Sequence, residues 1–301
     1  MSSTKYQKPF LKWVGGKSQI MDTLLEKFPK EMNNYHEPFL GGGSVLLAVL
    51  TLRKENKLVI KNKIYAYDVN DRLITIFNHV KNNKNELFET LQLHRNVYDN
   101  LKGEDVNRKP TNEHEALTSK ESYYYWLRNK YNSVDVKSIE SSALFLFLNK
   151  TCFRGMYREG PKGFNVPYGH YKKTPILVSK EDLDNISDLI QDVTFAQSDF
   201  SSSINQIKKG DFVYLDPPYV PEKESSFVNY VKEGFDTEMH TNLFNNVKTF
   251  KNNSIQFVMS NAKVNFVMDS FKDYSYEEII ARRSINSKNP GSTASEVLIY
   301  N

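Results

Sequence analysis

The chain has 301 residues, 39% of them hydrophobic and 25% charged, which are the proportions of an ordinary globular protein. Its formal net charge of +4 permits a polyanionic partner without requiring one. The single cysteine, Cys152, excludes an intrachain disulfide framework and a cysteine zinc cluster, and we expect no metal site. Residues 1–8 lack an apolar signal core, and no apolar run reaches the roughly 18 residues of a membrane span, so we expect a cytoplasmic protein without a membrane partner.

Strand patterns begin near the start of the chain. Residues 35–40 are predicted to form a strand that runs into the glycines 41–43. A helix is predicted over 44–52, and a second strand over 63–67 ends at Asp68. The order strand, glycine turn, helix, strand is typical of the start of a parallel α/β sheet.

The middle of the chain has a different pattern. Helices are predicted over 71–80, 86–97, 121–131 and 140–149, whereas 151–175 is too rich in glycine and proline for a regular helix. Strand patterns resume over 194–196, 211–215, 254–259 and 296–300. We therefore predict an α/β fold whose mixed, Rossmann-like sheet is built by residues 1–70 and 188–301, with a mainly helical domain of residues 71–187 inserted between them.

The sharpest motif is Asp216-Pro217-Pro218-Tyr219, directly after the predicted strand 211–215. Ligands of parallel sheets bind at the carboxyl ends of strands, and the two prolines restrict the backbone there. The Asp216 carboxylate and the Pro217 carbonyl can accept both hydrogens of an exocyclic base amine and direct its lone pair at a methyl donor, while Tyr219 stacks on a flipped base. The motif favours direct methylation of such an amine, and a rigid strand-to-loop turn is the alternative reading.

A glycine turn and an aspartate follow the first two predicted strands. The segment E-P-F-L-G-G-G-S, residues 37–44, lets the backbone approach a ligand closely, although Leu46 breaks the dinucleotide fingerprint and a plain helix-entry turn is the alternative. Asp68 can accept both ribose hydroxyls of a nucleoside cofactor, or it caps a turn. Asp199 and Phe200 can hold the adenine moiety of such a cofactor, or they form a surface turn.

Three further segments have weaker signals. In K-W-V-G-G-K, residues 12–17, a phosphate-binding loop is excluded by Leu11, so core packing of Trp13 and a solvated Lys17 are the plain readings. Residues 151–174 interleave bases with aromatic rings, as nucleic-acid contact needs, although a solvated basic loop is equally compatible. Arg282 and Arg283 suit phosphate binding or the end of a surface strand.

Taken together, these segments resemble the Dam-type DNA adenine-N6 methyltransferases, the alpha class of the D12 family. The resemblance covers nearly the whole chain and rests on seven features in the family's order: K-W-V-G-G-K, E-P-F-L-G-G-G-S, the strand-end Asp68, F-N-V-P-Y-G, D-P-P-Y, M-S-N and A-R-R-S-I-N-S. It implies a site-specific enzyme that uses S-adenosylmethionine (AdoMet) and acts on double-stranded DNA.

The resemblance also implies roles for individual residues. The implied AdoMet contacts are Trp13, Lys17, Phe39, Gly41, Gly43, Asp68, Asp199, Phe200 and Asp216, with Gly41 and Gly43 under the methionine portion. Asp216, Pro217 and Tyr219 would hold the target adenine. The domain of residues 71–187 would recognise the DNA target, and residues 1–70 and 188–301 would be the catalytic domain.

Within the family, an arginine of the recognition loop reads a guanine of GATC, and Arg158 matches that position. Pro167 and Tyr171 match neighbouring DNA contacts, and Arg154 stands where some relatives carry an asparagine that enters the duplex. GATC is the expected site, with another short palindrome such as CATG as the alternative. The expected setting is restriction-modification, with a restriction endonuclease acting independently, or Dam-type marking.

Three other functions remain as alternatives: an RNA adenine methyltransferase, a non-catalytic DNA-binding relic and a P-loop ATPase. The recognition loop disfavours the RNA reading, because readout of a duplex by arginine suits the DNA major groove. The intact D-P-P-Y, Asp68 and Lys17 disfavour a relic. The missing P-loop glycine disfavours an ATPase.

Overall fold

A computed structural model describes residues 5–221, 235–282 and 293–301. The helices are α1 (Met21–Glu26), α2 (Ser44–Lys54), α3 (Asp71–Asn82), α4 (Lys84–Asn100), α5 (Glu113–Ala116), α6 (Lys120–Ser133), α7 (Ile139–Thr151), α8 (Lys180–Leu189), α9 (Phe200–Ile204), α10 (Thr237–Asn252) and α11 (Asn265–Ser270). The strands are β1 (Glu31–Met32), β2 (Tyr35–Glu37), β3 (Val59–Ile60), β4 (Ile64–Asp68), β5 (Glu159–Gly160), β6 (Gly163–Phe164), β7 (Val193–Gln197), β8 (Phe212–Leu215), β9 (Gln256–Ala262), β10 (Ser275–Arg282) and β11 (Thr293–Tyr300).

The chain divides into two compact units. The sheet unit comprises the described residues of Lys17–Leu40, Ala48–Val69 and Asp192–Asn301. The helical unit comprises the described residues of Met1–Gly16, Gly41–Leu47 and Asn70–Gln191.

A seven-stranded mixed sheet is the centre of the sheet unit, in the order β10-β11-β9-β8-β2-β4-β7. The five strands from β9 to β7 are parallel, and β11 and β10 add antiparallel at one edge. All four residues of β8 are buried, as expected of a parallel strand covered on both faces. Side chains of β8 and β9 pack with Leu243, Phe244 and Val247 of α10 in one apolar core. The predicted mixed α/β sheet is confirmed.

The four helices predicted for the middle of the chain are present as α3, α4, α6 and α7, all in the helical unit. Each of α3, α6 and α7 begins after a polar N-cap whose side chain accepts a backbone N–H: Asn70, Ser119 and Ser138. Helix α7 is buried along almost its whole length, which explains its continuous apolar run.

The segment after α7 is irregular, as predicted. It contains a single 3₁₀ turn, Phe153–Gly155, and the short β5–β6 pair. The function of residues 71–187 in target recognition stays a prediction.

Two features of the sheet differ from the sequence prediction. Strand β2 ends at Glu37 instead of continuing to residue 40, because Pro38 has no N–H to donate to a neighbouring strand. The edge strand β10 was not predicted, since its polar residues obscure the alternation that marks a half-buried strand. Within the described ranges, no helix is both long and apolar enough to cross a membrane.

Candidate active site

The sheet has a topological switch point, at which successive strands begin to be added on the opposite side of β2. From β2 the order runs through β4 to β7, whereas the later strands β8 and β9 lie on the other side of β2. Strands β2 and β8 are parallel neighbours, with Tyr35 opposite Phe212. The crevice at the carboxyl ends of such a pair is where ligands of open α/β sheets bind. Glu37 ends β2 there, and Asp216 directly follows β8.

Asp216 forms a largely buried ion pair at this edge of the sheet. Its Oδ2 lies 2.6 Å from the Nζ of Lys17, and the two side chains are 20% and 6% exposed. Burial raises the pKa of Asp216, and the Lys17 charge opposes that shift. The other oxygen, Oδ1, is buried and accepts no hydrogen bond from the described residues. Asp216 therefore presents one oxygen neutralised by a cation and one oxygen still able to accept.

Glu37 is a second buried carboxyl beside this pair. It is only 2% exposed, and its Oε2 accepts a hydrogen bond from the Tyr35 hydroxyl at 2.7 Å. Burial raises the pKa of Glu37 to about 8, although the bond from Tyr35 lowers it, and Asp216 and Lys17 have smaller, opposite effects. Sequence reasoning assigned Glu37 no role. Its place at the end of a buried strand, directly before a proline, is the signal that marks it.

The loop after Asp216 is hydrogen-bonded to strand β11. Pro217 is buried, Pro218 is exposed, and neither belongs to a helix or strand. The Tyr219 hydroxyl donates to Glu296 Oε2 on β11 at 2.9 Å, and Lys17 Nζ lies 5.2 Å from the centre of the Tyr219 ring. The pKa of Tyr219 is raised well above its ordinary value by burial and by the nearby carboxylates. No sequence pattern indicated Glu296.

The other candidate residues of the sheet unit lie at the same strand ends. Asp68 is the last residue of β4 and is partly buried. The rings of Phe39 and Phe200 are stacked with their centroids 5.9 Å apart. Asp199 is the N-cap of α9, and its two oxygens accept from the backbone N–H and the hydroxyl of Ser202. Contact of Asp199 with a cofactor stays a prediction.

In the helical unit, Trp13 packs against the glycine turn. Gly41 and Gly43 have φ angles of +52° and +71°, a region that side chains rarely adopt. A Cβ built on Gly42 would lie 2.7 Å from the Trp13 Cβ, and one on Gly41 would lie 3.1 Å from the indole ring. The turn therefore needs glycine for backbone geometry and for the approach of Trp13. The indole also packs against the ring of Tyr157, with the two ring centroids 5.2 Å apart.

The predicted DNA-contact residues of the helical unit follow α7 in the chain. Arg154 is exposed with φ +57°, and Arg158 is exposed while its Nε donates to Asn165 Oδ1 at 2.6 Å. Pro167 is exposed, and its carbonyl accepts from the Phe153 N–H.

The three remaining residues that are predicted to contact DNA are Tyr171, Arg282 and Arg283. The Tyr171 hydroxyl donates to the Cys152 carbonyl, and Lys12 Nζ lies 5.0 Å from the centre of its ring. Arg282 ends β10, and Arg283 lies outside the described residues. Contact with DNA stays a prediction for all of these residues.

Comparison with known proteins identifies the family. The family model described as D12 class N6 adenine-specific DNA methyltransferase matches residues 13–285. The chain is 34% identical to the type II methyltransferase M.MjaIII of Methanocaldococcus jannaschii, over 93% of this chain and 93% of the relative. It is 31% identical to the type II methyltransferase M1.LlaDCHI of Lactococcus lactis subsp. cremoris, over 98% and 95%, and 30% identical to the DNA adenine methylase of Haemophilus influenzae, over 94% and 89%.

The matched region includes the strand ends, the glycine turn and the D-P-P-Y loop described above. A mixed, mostly parallel sheet with the D-P-P-Y loop at its switch point fits a methyltransferase fold. The chain therefore belongs to the D12 class of N6 adenine-specific DNA methyltransferases, and it is an enzyme of that kind.

Proposed function

We propose that this enzyme transfers a methyl group from AdoMet to the N6 amine of adenine in a short palindromic duplex site, with GATC as the expected sequence. One observation supports the proposal most: Asp216 has one oxygen paired with Lys17 and a second, buried oxygen that accepts nothing from the described residues. A buried acceptor without a donor is unfavourable by itself, so it is an expected feature of a site whose ligand brings the donor.

The amine of adenine supplies such a donor. Asp216 Oδ1 accepts one of its hydrogens and the Pro217 carbonyl accepts the other, which directs the nitrogen lone pair towards the incoming methyl group. Tyr219 stacks on the base after it leaves the duplex. AdoMet would supply the methyl group to N6 and leave as a neutral thioether, and N6 would release one proton to solvent, while Asp216 and Pro217 hold the amine.

Several further residues have chemistry that suits the proposed cofactor. When bound, AdoMet supplies an electrophilic methyl group on a positively charged sulfur. The buried Lys17 cation can attract the carboxylate of an amino-acid moiety, and Asp68 at the end of β4 can accept ribose hydroxyls. The Gly41–Gly43 turn brings backbone close to a ligand without side chains. Phe39 and Phe200 offer an aromatic surface to the adenine moiety, with Asp199 at the start of α9.

Direct transfer is supported further by the state of the only cysteine. Cys152 is fully buried, and burial raises the pKa of its thiol to about 12. A thiolate nucleophile is therefore not available from this residue at neutral pH.

We propose target recognition for the domain of residues 71–187, on the strength of its exposed loop after α7. Asn165 holds the Arg158 guanidinium through its side chain and its carbonyl, at 2.6 and 3.3 Å, which prepares an arginine for contact with a guanine. Two of the relatives are named type II methyltransferases, which supports a restriction-modification setting for this chain as well.

A panel of duplexes tests both substrate and site. Purified enzyme is incubated with methyl-labelled AdoMet and a duplex containing GATC, the same duplex premethylated at adenine N6, one containing CATG, and one with the site scrambled. Label on the first duplex alone is the expected result. Label on the CATG duplex alone would overturn the sequence assignment, and equal label on the premethylated duplex would overturn the target atom.

A further inference from the structure

We propose that Glu296 and Asn261 are positioning residues that hold the D-P-P-Y loop in its reactive arrangement. Glu296 would set the orientation of the Tyr219 ring, and Asn261 would set the backbone immediately after it. The inference rests on the proposed function for its catalytic consequence, but the contacts themselves belong to the described sheet unit.

The first contact joins the Tyr219 ring to a strand of the sheet. The Tyr219 hydroxyl donates to Glu296 Oε2 at 2.9 Å, a hydrogen bond to a carboxylate and therefore of the stronger kind. Glu296 lies on β11, opposite Ala262 of β9, so its backbone is held by a regular antiparallel ladder. A loop ring anchored to a sheet strand presents its face in one orientation, as stacking on a single base requires.

The second contact fixes the chain one residue further on. Asn261 is fully buried on β9, and its Oδ1 accepts from the N–H of Val220 at 3.1 Å and from its neighbour Ala262 at 2.8 Å. Because both partners are backbone N–H donors, the side-chain atom that they contact must be the amide oxygen and not the amide nitrogen. Asn261 is thus a specific acceptor for the loop, which belongs to no helix or strand.

The amide nitrogen of Asn261 leaves one hydrogen-bonding group of this side chain unpaired. Its Nδ2 is buried and has no hydrogen-bond partner among the described residues. A buried donor left without an acceptor is uncommon in folded proteins and calls for an explanation. Pairing of the Val220 and Ala262 N–H groups with Oδ1 supplies one, since this orientation of the amide satisfies two backbone donors.

The hydrogen bond from Tyr219 to Glu296 is tested with four variants: Tyr219→Phe, Glu296→Ala, Glu296→Gln and the double variant Tyr219→Phe/Glu296→Ala. We expect the single-turnover methylation rate to fall about tenfold in Tyr219→Phe and in Glu296→Ala. The double variant should fall by the same factor, because both changes remove one bond. Glu296→Gln keeps an acceptor oxygen and should retain most of the rate. The affinities for AdoMet and DNA should stay within about twofold.

Two outcomes would overturn this part. Independent losses that multiply in the double variant would mean that the two side chains do not act through a shared bond. A rate for Glu296→Gln as low as that for Glu296→Ala would mean that the negative charge, and not the hydrogen bond, matters. Glu278→Ala, an exposed glutamate on the neighbouring strand β10, is the matched control and should leave the rate unchanged.

Hydrogen–deuterium exchange tests Asn261 without reference to activity. In Asn261→Ala the peptide containing Val220 should exchange faster than in the wild-type enzyme, whereas Asn261→Asp, which keeps an acceptor, should protect it. Unchanged exchange in a folded Asn261→Ala would overturn the role of Asn261. If Asn261→Ala does not fold, exchange of the peptide containing Val220 is compared between Asn261→Asp and the Glu296 variants. Faster exchange of this peptide in Asn261→Asp than in the wild-type enzyme would count against the contact. A wild-type enzyme that methylates no adenine would refute the proposed function, while the exchange data would still decide whether these residues hold the loop.

Discussion

Substitution of the buried Glu37 by glutamine should change how the stability of the enzyme depends on pH. Glu37 is 2% exposed, and burial raises its pKa from 4.5 to about 8. Between these two values the folded protein keeps a proton that the unfolded chain has released. Stability therefore falls as the pH rises through this window, which is the sign expected for an acid whose folded pKa is raised.

The size of the effect follows from proton linkage. One proton of difference is worth about 1.4 kcal/mol for each pH unit, so Glu37 should cost the wild-type protein roughly 2–3 kcal/mol of unfolding free energy between pH 6 and pH 8. Glutamine has nearly the same shape, stays neutral, and offers an oxygen to the Tyr35 hydroxyl that now bonds to Glu37. Asp216 also has a raised pKa, and its charge raises the pKa of Glu37, so the difference between the two proteins includes this coupling.

Urea unfolding at pH 6, 7 and 8 measures this difference. We expect the unfolding free energy of Glu37→Gln, relative to that of the wild type, to increase by roughly 2–3 kcal/mol between pH 6 and pH 8. Glu26→Gln, at an exposed position of α1, is the control and should run parallel to the wild type. Parallel curves for Glu37→Gln would contradict the reasoning, because they would mean that Glu37 ionises equally in the folded and unfolded chains.

Four other predictions follow from single contacts. Asp199→Ala removes the bonds to Ser202 that cap α9 and should lower the unfolding free energy by about 1 kcal/mol, whereas unchanged urea unfolding would contradict the cap. Gly42→Ala places a Cβ 2.7 Å from Trp13 and should cost about 1–3 kcal/mol in the same assay, whereas Gly16→Ala meets only ordinary contacts; equal losses would refute the packing argument. Arg158→Ala should reduce discrimination between GATC and a single-base mismatch by ~1–3 kcal/mol in competitive methylation. Affinity for DNA should fall steeply with salt in a binding titration, and a flat response would count against phosphate contacts.

The parts of the fold that sequence predicted are those in which a local pattern has a single explanation. Strand β8 is an apolar run ending in Asp-Pro-Pro-Tyr, and α7 is an apolar run long enough to be a helix, so both were found. Strand β10 was missed, because a charged edge strand lacks clean alternation.

Residues of the candidate site could be predicted only where they lie within a recognisable sequence motif. Asp216 and the glycine turn lie in such motifs, and comparison with the family reached Lys17 and Trp13, whose plain readings from sequence were solvent exposure and core packing. Lys17 is in fact buried against Asp216. Glu296 could not be found in this way, because its contact with Tyr219 joins residues 77 positions apart and depends on strand pairing.

Mass spectrometry of nucleosides from enzyme-treated DNA identifies the methylated base and tests the role of Asp216. DNA is treated with the wild-type enzyme or with Asp216→Ala and is then digested to nucleosides. The account predicts N6-methyladenine from the wild type and none from Asp216→Ala, with both proteins showing the same circular dichroism and with Asp273→Ala, at an exposed position, as active as the wild type. N6-methyladenine from a folded Asp216→Ala at the wild-type rate, or a methylated base other than adenine from the wild type, would contradict it.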